Sequence, residues 1–141
     1  MTRTQCMPWL LLGLALLQQL ATAATFTVGV LGLEDDARYQ PRRVERNYPG
    51  HPGGRAQDGA ALAVDESGPE LEAVGHKLVV KSFLAPNAAE LPRAIAQMKA
   101  ARVQHVLLDL PDAEIKAALA AASAALGPAG FFNTSSGLAE L

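Results

Sequence analysis

The sequence has one cysteine, few aromatic residues and no excess of positive charge. A single cysteine among 141 residues excludes a disulfide framework and a zinc site built on several cysteines. Aromatic residues make up 5% of the chain, too few for a surface that stacks nucleic-acid bases, and the net charge of −2 also argues against a nucleic-acid partner. With 50% hydrophobic residues the chain is too apolar for a disordered protein, and its length fits about one domain.

The first residues have the three parts of a secretory signal peptide. Arg3 supplies positive charge, Leu10–Leu17 is an apolar run, and Ala21–Ala23 has the small side chains of a cleavage site. A membrane-spanning helix would need about 20 apolar residues, and Gln18 ends this run early. We therefore expect residues 1–23 to direct export and to be removed.

Export has consequences for the mature protein, residues 24–141. The only cysteine, Cys6, and the only tryptophan, Trp9, would leave with the signal peptide. A soluble exported chain without disulfides fits the bacterial periplasm, so we expect a periplasmic protein.

The mature chain alternates apolar, β-branched runs with helical segments. Continuous apolar strands separated by helices predict an α/β fold: a parallel sheet with helices on both faces. The strands are expected at residues 26–32, 77–83, 104–108 and 130–133.

Three helices are expected between these strands. The first is alanine-rich, covers residues 55–66, should be buried, and should end at Ser67–Pro69. The second should follow a cap at Asn87 and bury the stripe formed by Leu91, Ile95 and Met98. The third should run from about residue 111 to 126, before Gly127 and Pro128.

Hydroxyl side chains follow the fourth strand. Ligands of open parallel sheets bind at the carboxyl edge, where the strand order reverses, so the loops at that edge should supply any site. They are residues 33–53, 84–88, 109–112 and 133–137. Thr134, Ser135 and Ser136 would hold polar ligand groups there; the alternative is a turn that caps a following helix.

Arginines are concentrated in the first long loop. Arg42, Arg43 and Arg46 stand there with Tyr39 and Tyr48. Guanidinium groups at the binding edge suit a carboxylate or phosphate; the alternative is a solvated helical face.

Catalytic motifs are absent from the sequence. It contains no Gly-rich nucleotide loop and no nucleophile elbow, and its three histidines lack the spacing of metal ligands. Asp35 and Asp36 could form a carboxylate pair, but adjacent side chains diverge, so we expect a solvated loop. We therefore expect no catalytic residue, no metal site and no bound cofactor.

Several segments resemble the N-terminal lobe of the type I periplasmic substrate-binding proteins of ABC transporters. They are FTVGVLGL after the signal peptide, GRAQDGAALAVDESGPEL and LVVKSF. The family's first helix often carries a pattern that is matched here by Gly59, Ala60, Ala63, Asp65 and Glu66. The segment ARYQPRRVERNYPGHPGGRAQDGAALAVDES is similar to the subgroup found with PQQ-dependent alcohol dehydrogenase systems.

The resemblance implies a hinged, non-enzymatic protein that captures a solute and delivers it to a membrane permease. It carries the family's ligand-binding hydroxyls over to Thr134, Ser135 and Ser136. Amino-acid binders have a loop rich in glycine and hydroxyls after the third strand, where this chain has residues 109–112 with two acids, so an amino acid is not the expected ligand. The PQQ-linked subgroup suggests an anionic quinone cofactor or a related metabolite as cargo.

Length separates the chain from that family, whose members have two lobes. We expect residues 24–141 to form a partial N-terminal lobe, a truncated chain with a partly exposed apolar sheet edge. The rival interpretation is a small exported flavodoxin-like enzyme or a quinoprotein accessory or assembly factor. A structural interaction module is a third possibility.

Processing of the precursor can be tested directly. Expression of the full chain in a Gram-negative host should give a periplasmic product that begins at Ala24 and no longer reacts with thiol reagents, because Cys6 has been removed. Leu14→Arg, which breaks the apolar run, should leave an unprocessed, thiol-reactive precursor in the cytoplasm. A wild-type chain that stays in the cytoplasm with its cysteine intact would contradict the export hypothesis.

Overall fold

The computed structural model of the protein describes residues 24–40 and 54–134. Four strands and three α-helices follow one another in strict alternation. They are β1 (Ala24–Leu33), α1 (Ala56–Ala73), β2 (His76–Ala85), α2 (Leu91–Ala100), β3 (His105–Asp109), α3 (Asp112–Leu126) and β4 (Gly130–Asn133). Short 3-10 turns at Ala37–Tyr39 and Ala88–Glu90 precede α1 and α2.

The strands form one parallel sheet in the order β2-β1-β3-β4. Leu31 of β1 lies opposite Phe83 on one side and Leu108 on the other, so these three side chains point to the same face. The strand order reverses between β1 and β3. The predicted α/β fold is confirmed.

The chain's path distributes the helices over both faces. It moves from β1 to β2 in one direction and then crosses back to β3 and β4, and right-handed crossovers therefore put α1 on one face and α2 and α3 on the other. The main core lies on the α2 and α3 side, where Met98 and Ile115 are fully buried against Leu31 and Leu108.

Helix α1 differs from its prediction in both length and burial. It continues past Ser67 and Pro69 to Ala73, and none of its residues is buried. The residues after Pro69 include glutamate, leucine and alanine, which favour a helix and offset the proline's missing N–H. Burial is low because α1 is the one helix on its face of the described sheet, and among residues 24–40 and 54–134 no other helix packs beside it.

The other two helices follow their predictions closely. Leu91, Ile95 and Met98 are buried as expected, although Asn87 caps the 3-10 turn before α2 and not α2 itself, accepting a hydrogen bond from Ala89 N at 3.0 Å. Helix α3 ends before Gly127, whose φ of 74° is a left-handed conformation that glycine adopts readily. Phe132 of the edge strand β4 is half exposed among the described residues.

A pair of glycines tests the packing of this core. A Cβ on Gly29 of β1 would lie 2.6 Å from Met98 Cε and 3.0 Å from Val103 Cγ1, and Met98 is fully buried. Gly29→Ala should therefore lower the free energy of unfolding by about 1–3 kcal/mol. Gly59→Ala is the matched control: nothing lies within 4 Å of its Cβ position, and alanine favours the helix, so stability should stay the same or rise. Urea denaturation would measure both, and equal effects would contradict the packing described here.

Candidate functional site at the carboxyl edge of the sheet

Two buried carboxylates mark the carboxyl edge of the sheet. Asp109 ends β3 beside Gly32 of β1, at the point where the strand order reverses, and Asp36 follows β1. Their exposed fractions are 3% and 4%, and they are the buried charged residues of the described chain. Open α/β sheets bind ligands in the crevice at this position, so these carboxylates lie where a site is expected.

Arg38 joins the two carboxylates. Its Nε lies 3.1 and 3.0 Å from the two carboxylate oxygens of Asp36, and its Nη2 lies 2.5 Å from Asp36 Oδ2. The same Nη2 donates to Asp109 Oδ1 at 3.1 Å. The two-oxygen contact with Asp36 is the strongest geometry that a guanidinium offers a carboxylate. A single cation thus neutralises much of the charge that the fold buries at this edge.

Tyr39 makes the next contact of this cluster. Its hydroxyl donates a hydrogen bond to Asp109 Oδ1 at 2.6 Å. The centroid of its ring lies 5.3 Å from the guanidinium carbon of Arg38 and 5.0 Å from that of Arg55, within the range of cation–π attraction. We call Asp36, Arg38, Tyr39 and Asp109 the carboxylate cluster.

Arg55 attaches the start of α1 to the end of β1. It donates to the carbonyl oxygens of Leu33 at 2.9 Å and Glu34 at 2.6 Å. Its own N–H donates to Asp58 Oδ2 at 3.0 Å, which gives the first turn of α1 a side-chain cap. The same guanidinium faces the Tyr39 ring, so the carboxylate cluster and the helix start are held together.

Local structure explains how a surface loop supplies a buried ion pair. Asp36 Oδ1 accepts a hydrogen bond from Arg38 N at 2.8 Å, which caps the 3-10 turn Ala37–Tyr39. This turn brings the Arg38 side chain back onto Asp36 and points both Arg38 and Tyr39 at Asp109. Segment 34–40 is therefore folded on itself before it contacts β3.

Ionisation in the cluster is strongly coupled to these contacts. Burial opposes the charged form of Asp36, but hydrogen bonds from the Arg38 side chain and backbone and the charges of Arg38 and Arg55 hold the pKa of Asp36 below its usual value. Burial also opposes the charged form of Arg38, yet the neighbouring carboxylates raise the pKa of Arg38 further. Burial, followed by the hydrogen bond to Asp109, raises the pKa of Tyr39 to about 12. The cluster is therefore an ion pair with a neutral tyrosine at physiological pH.

The expectations for the site residues have mixed outcomes. Thr134 lies at the end of β4, as expected, and both its hydroxyl and its N–H donate to the carbonyl of Leu108, at 3.1 and 3.3 Å. The other predicted ligand-binding residues lie outside the described residues: Ser135, Ser136, Arg42, Arg43 and Arg46. Asp35 and Asp36 were both expected in a solvated loop. This is correct for Asp35, which is exposed, and wrong for Asp36, which is buried because Arg38 pairs with its carboxylate.

Sequence reasoning missed the roles of Asp36, Arg38 and Asp109. One local signal was available: an aspartate two residues before an arginine can cap a turn and pair with that arginine. Arg38 and Asp109 are 71 positions apart in the chain, so no local sequence pattern predicts their contact.

Two classes of site are not found in residues 24–40 and 54–134. Histidine, aspartate and glutamate side chains there form no group of three that could hold a metal ion. None of the helices in those residues combines the length and apolar character that crossing a bilayer requires.

Seen alone, Asp109 would look like an unpaired carboxylate, but both Arg38 and Tyr39 donate hydrogen bonds to it.

Comparison with known proteins found no match: no protein-family model matches the chain, and no curated protein is significantly similar to it.

The charge on Asp36 should contribute to stability in a pH-dependent way. Because the pKa of Asp36 is lowered in the folded protein, its stabilising contribution is complete above the unfolded value near 3.8 and is lost as pH falls through the lower folded value. Asp36→Asn keeps an oxygen that can cap the turn but removes the charge. It should cost about 2 kcal/mol at pH 7, and the difference from wild type should shrink as pH falls below about 4.

Thermal unfolding between pH 2 and 8 would measure this effect. Asp65→Asn is the matched control, since Asp65 is exposed in the middle of α1 and should show little difference at any pH. A constant gap between wild type and Asp36→Asn down to pH 2 would show that the ion pair does not stabilise the fold.

Proposed function

We propose that the protein is the solute-binding component of an ABC transporter in the periplasm and has no enzymatic activity of its own. The observation that carries the proposal is the reversal of strand order between β1 and β3, with charged and hydroxyl side chains collected at that edge. The signal-peptide pattern and the resemblance to type I periplasmic binding proteins support the same function.

The chemistry of the described edge favours binding over catalysis. A general base needs a carboxylate or imidazole with a free lone pair near the reacting atom. Arg38 and Tyr39 engage the carboxylate of Asp109, and Arg38 contacts both oxygens of the Asp36 carboxylate, so both buried acids hold the loop. A rigid edge of this kind is suited to presenting neighbouring groups to a solute.

A second candidate function rests on the same strand order. Order β2-β1-β3-β4 is also that of flavodoxin-like proteins, so an exported enzyme or quinoprotein assembly factor remains the rival. An assembly factor would bind a protein partner, whereas a transporter component would bind its solute directly and present it to a permease. Direct solute binding therefore separates the two functions.

The subgroup resemblance indicates the solute to try first. A PQQ-dependent alcohol oxidation system points to PQQ, an anionic quinone, as cargo. Arg42, Arg43 and Arg46 are the residues expected to receive its carboxylates, because guanidinium groups pair with carboxylates through two hydrogen bonds.

Calorimetric titration with PQQ tests this proposal. The processed chain should bind PQQ with a dissociation constant below millimolar. Replacement of Arg42, Arg43 and Arg46 by glutamine should weaken binding at least tenfold. Lys77, Lys99 and Lys116 are exposed elsewhere in the fold, and their replacement by glutamine removes the same charge as a control that should leave binding nearly unchanged.

The outcomes separate cargo from non-specific attraction. Equal weakening in the two triple variants would mean that PQQ responds to net charge and not to the loop. If the wild-type chain gives no heat of binding and no dissociation constant below millimolar, PQQ is rejected as the solute.

A further inference from the structure

A cleft opens at the carboxyl edge of the sheet on the other side of β1 from the carboxylate cluster. It has a volume of about 190 Å³ and lies between the end of β2 and the start of α2. Its lining includes Glu34, Leu84, Pro86, Glu90, Arg93 and Gln97. Liquid water occupies about 30 Å³ per molecule, so the cleft has room for a compact ligand of roughly six non-hydrogen atoms.

Access distinguishes this cleft from the crevice between β1 and β3. There, Arg38 and Tyr39 already contact Asp109, and a ligand would have to break a buried ion pair to enter. At the cleft, no ion pair of that kind has to be broken. Leu84, Ala85 and Pro86 at the end of β2 give the cleft an apolar wall.

The charges around the cleft are unequal. Within the described part of the chain, no ion pair engages the side chain of Glu34; its backbone carbonyl accepts from Arg55 at 2.6 Å and its backbone N–H donates to the carbonyl of Ala85 at 2.9 Å. Arg93 lies 3.9 Å from Glu90, with side chains that are 79% and 45% exposed, a weak contact that solvent screens. Two carboxylates thus face one guanidinium.

We propose that this cleft binds a small alkylammonium ion. The ammonium group pairs with the carboxylate of Glu34, and the alkyl chain lies against Leu84 and Pro86. Gln97 and Glu90 supply further acceptors at the rim. The proposal does not depend on the transporter function, because it uses residues at the ends of β1 and β2 and at the start of α2 and none of the predicted PQQ-binding residues.

The probe is n-butylammonium chloride, which has five non-hydrogen atoms. In heteronuclear NMR spectra of the purified chain, the backbone amides of Leu84, Ala94 and Gln97 should shift saturably at millimolar probe. Glu34→Gln should weaken binding up to about fivefold, the upper end of what an exposed ion pair contributes. Arg93→Gln should tighten it, because the competing guanidinium is removed from Glu90.

Matched controls make the test specific. Glu66→Gln removes an exposed carboxylate from α1 and should leave the butylammonium affinity unchanged. Sodium butyrate, with the opposite charge on a similar chain, should cause no saturable shift at these amides.

Three results would overturn the proposal: no saturation by butylammonium up to about 50 mM, equal binding by Glu34→Gln, or saturable butyrate binding that Arg93→Gln abolishes. None of them bears on the PQQ titration, in which Glu34→Gln should not weaken binding.

Discussion

The edge of this fold depends on one guanidinium placed between two buried carboxylates. Removing a carboxylate from water costs several kcal/mol, and the attraction of a well-placed partner is needed to recover it. Arg38 meets this need for Asp36 through two-oxygen contact and for Asp109 through a 3.1 Å contact. Loss of a partner from a buried pair costs about 3–5 kcal/mol when nothing replaces its hydrogen bonds, which is more than we expect for Asp36→Asn and a large part of the 5–15 kcal/mol that stabilises a typical domain.

This ion pair also determines where the loop after β1 can go. Segment 34–40 is tied to itself by the Asp36 cap, to β3 by Asp109, and to α1 by the Arg55 contact with Tyr39. The crevice at the reversal of strand order is consequently occupied by the protein's own side chains. Space for a small molecule is found beside it, at the end of β2, where the contacts are weaker and more exposed.

Most of the fold could be predicted from the sequence because its strands and two of its helices have strong local signals. β4 and the helix that ends before Gly127 were expected within a residue or two of where they lie, since apolar runs and glycine stops act locally. The predicted end of helix α1 at Pro69 is too early, because the residues that follow the proline favour a helix. Its burial was overestimated because alanine content does not reveal how many helices share a face.

The candidate site was harder to predict, for a different reason. Thr134 was placed correctly because it follows a strand directly, and strand order alone puts such residues at the edge. Asp36 was misjudged because its burial is a property of the pair with Arg38 and of Asp109, which lies 71 positions beyond Arg38 in the chain. Whether a carboxylate is solvated or buried depends on which cation reaches it, and that is decided by tertiary structure.

The carboxylate cluster has two carboxylates and one guanidinium, so it adds to the negative charge of the edge. The described carboxylates around it outnumber the guanidinium groups of Arg55 and Arg93: Glu34, Asp35 and Glu90 flank β1 and β2, and Asp112 and Glu114 begin α3. An anionic solute approaching this edge is therefore repelled unless Arg42, Arg43 and Arg46 face it, whereas a small cation needs no such help. The two proposed ligands thus require opposite charges at the same edge. Each can be tested by substituting residues that are not proposed to bind the other ligand.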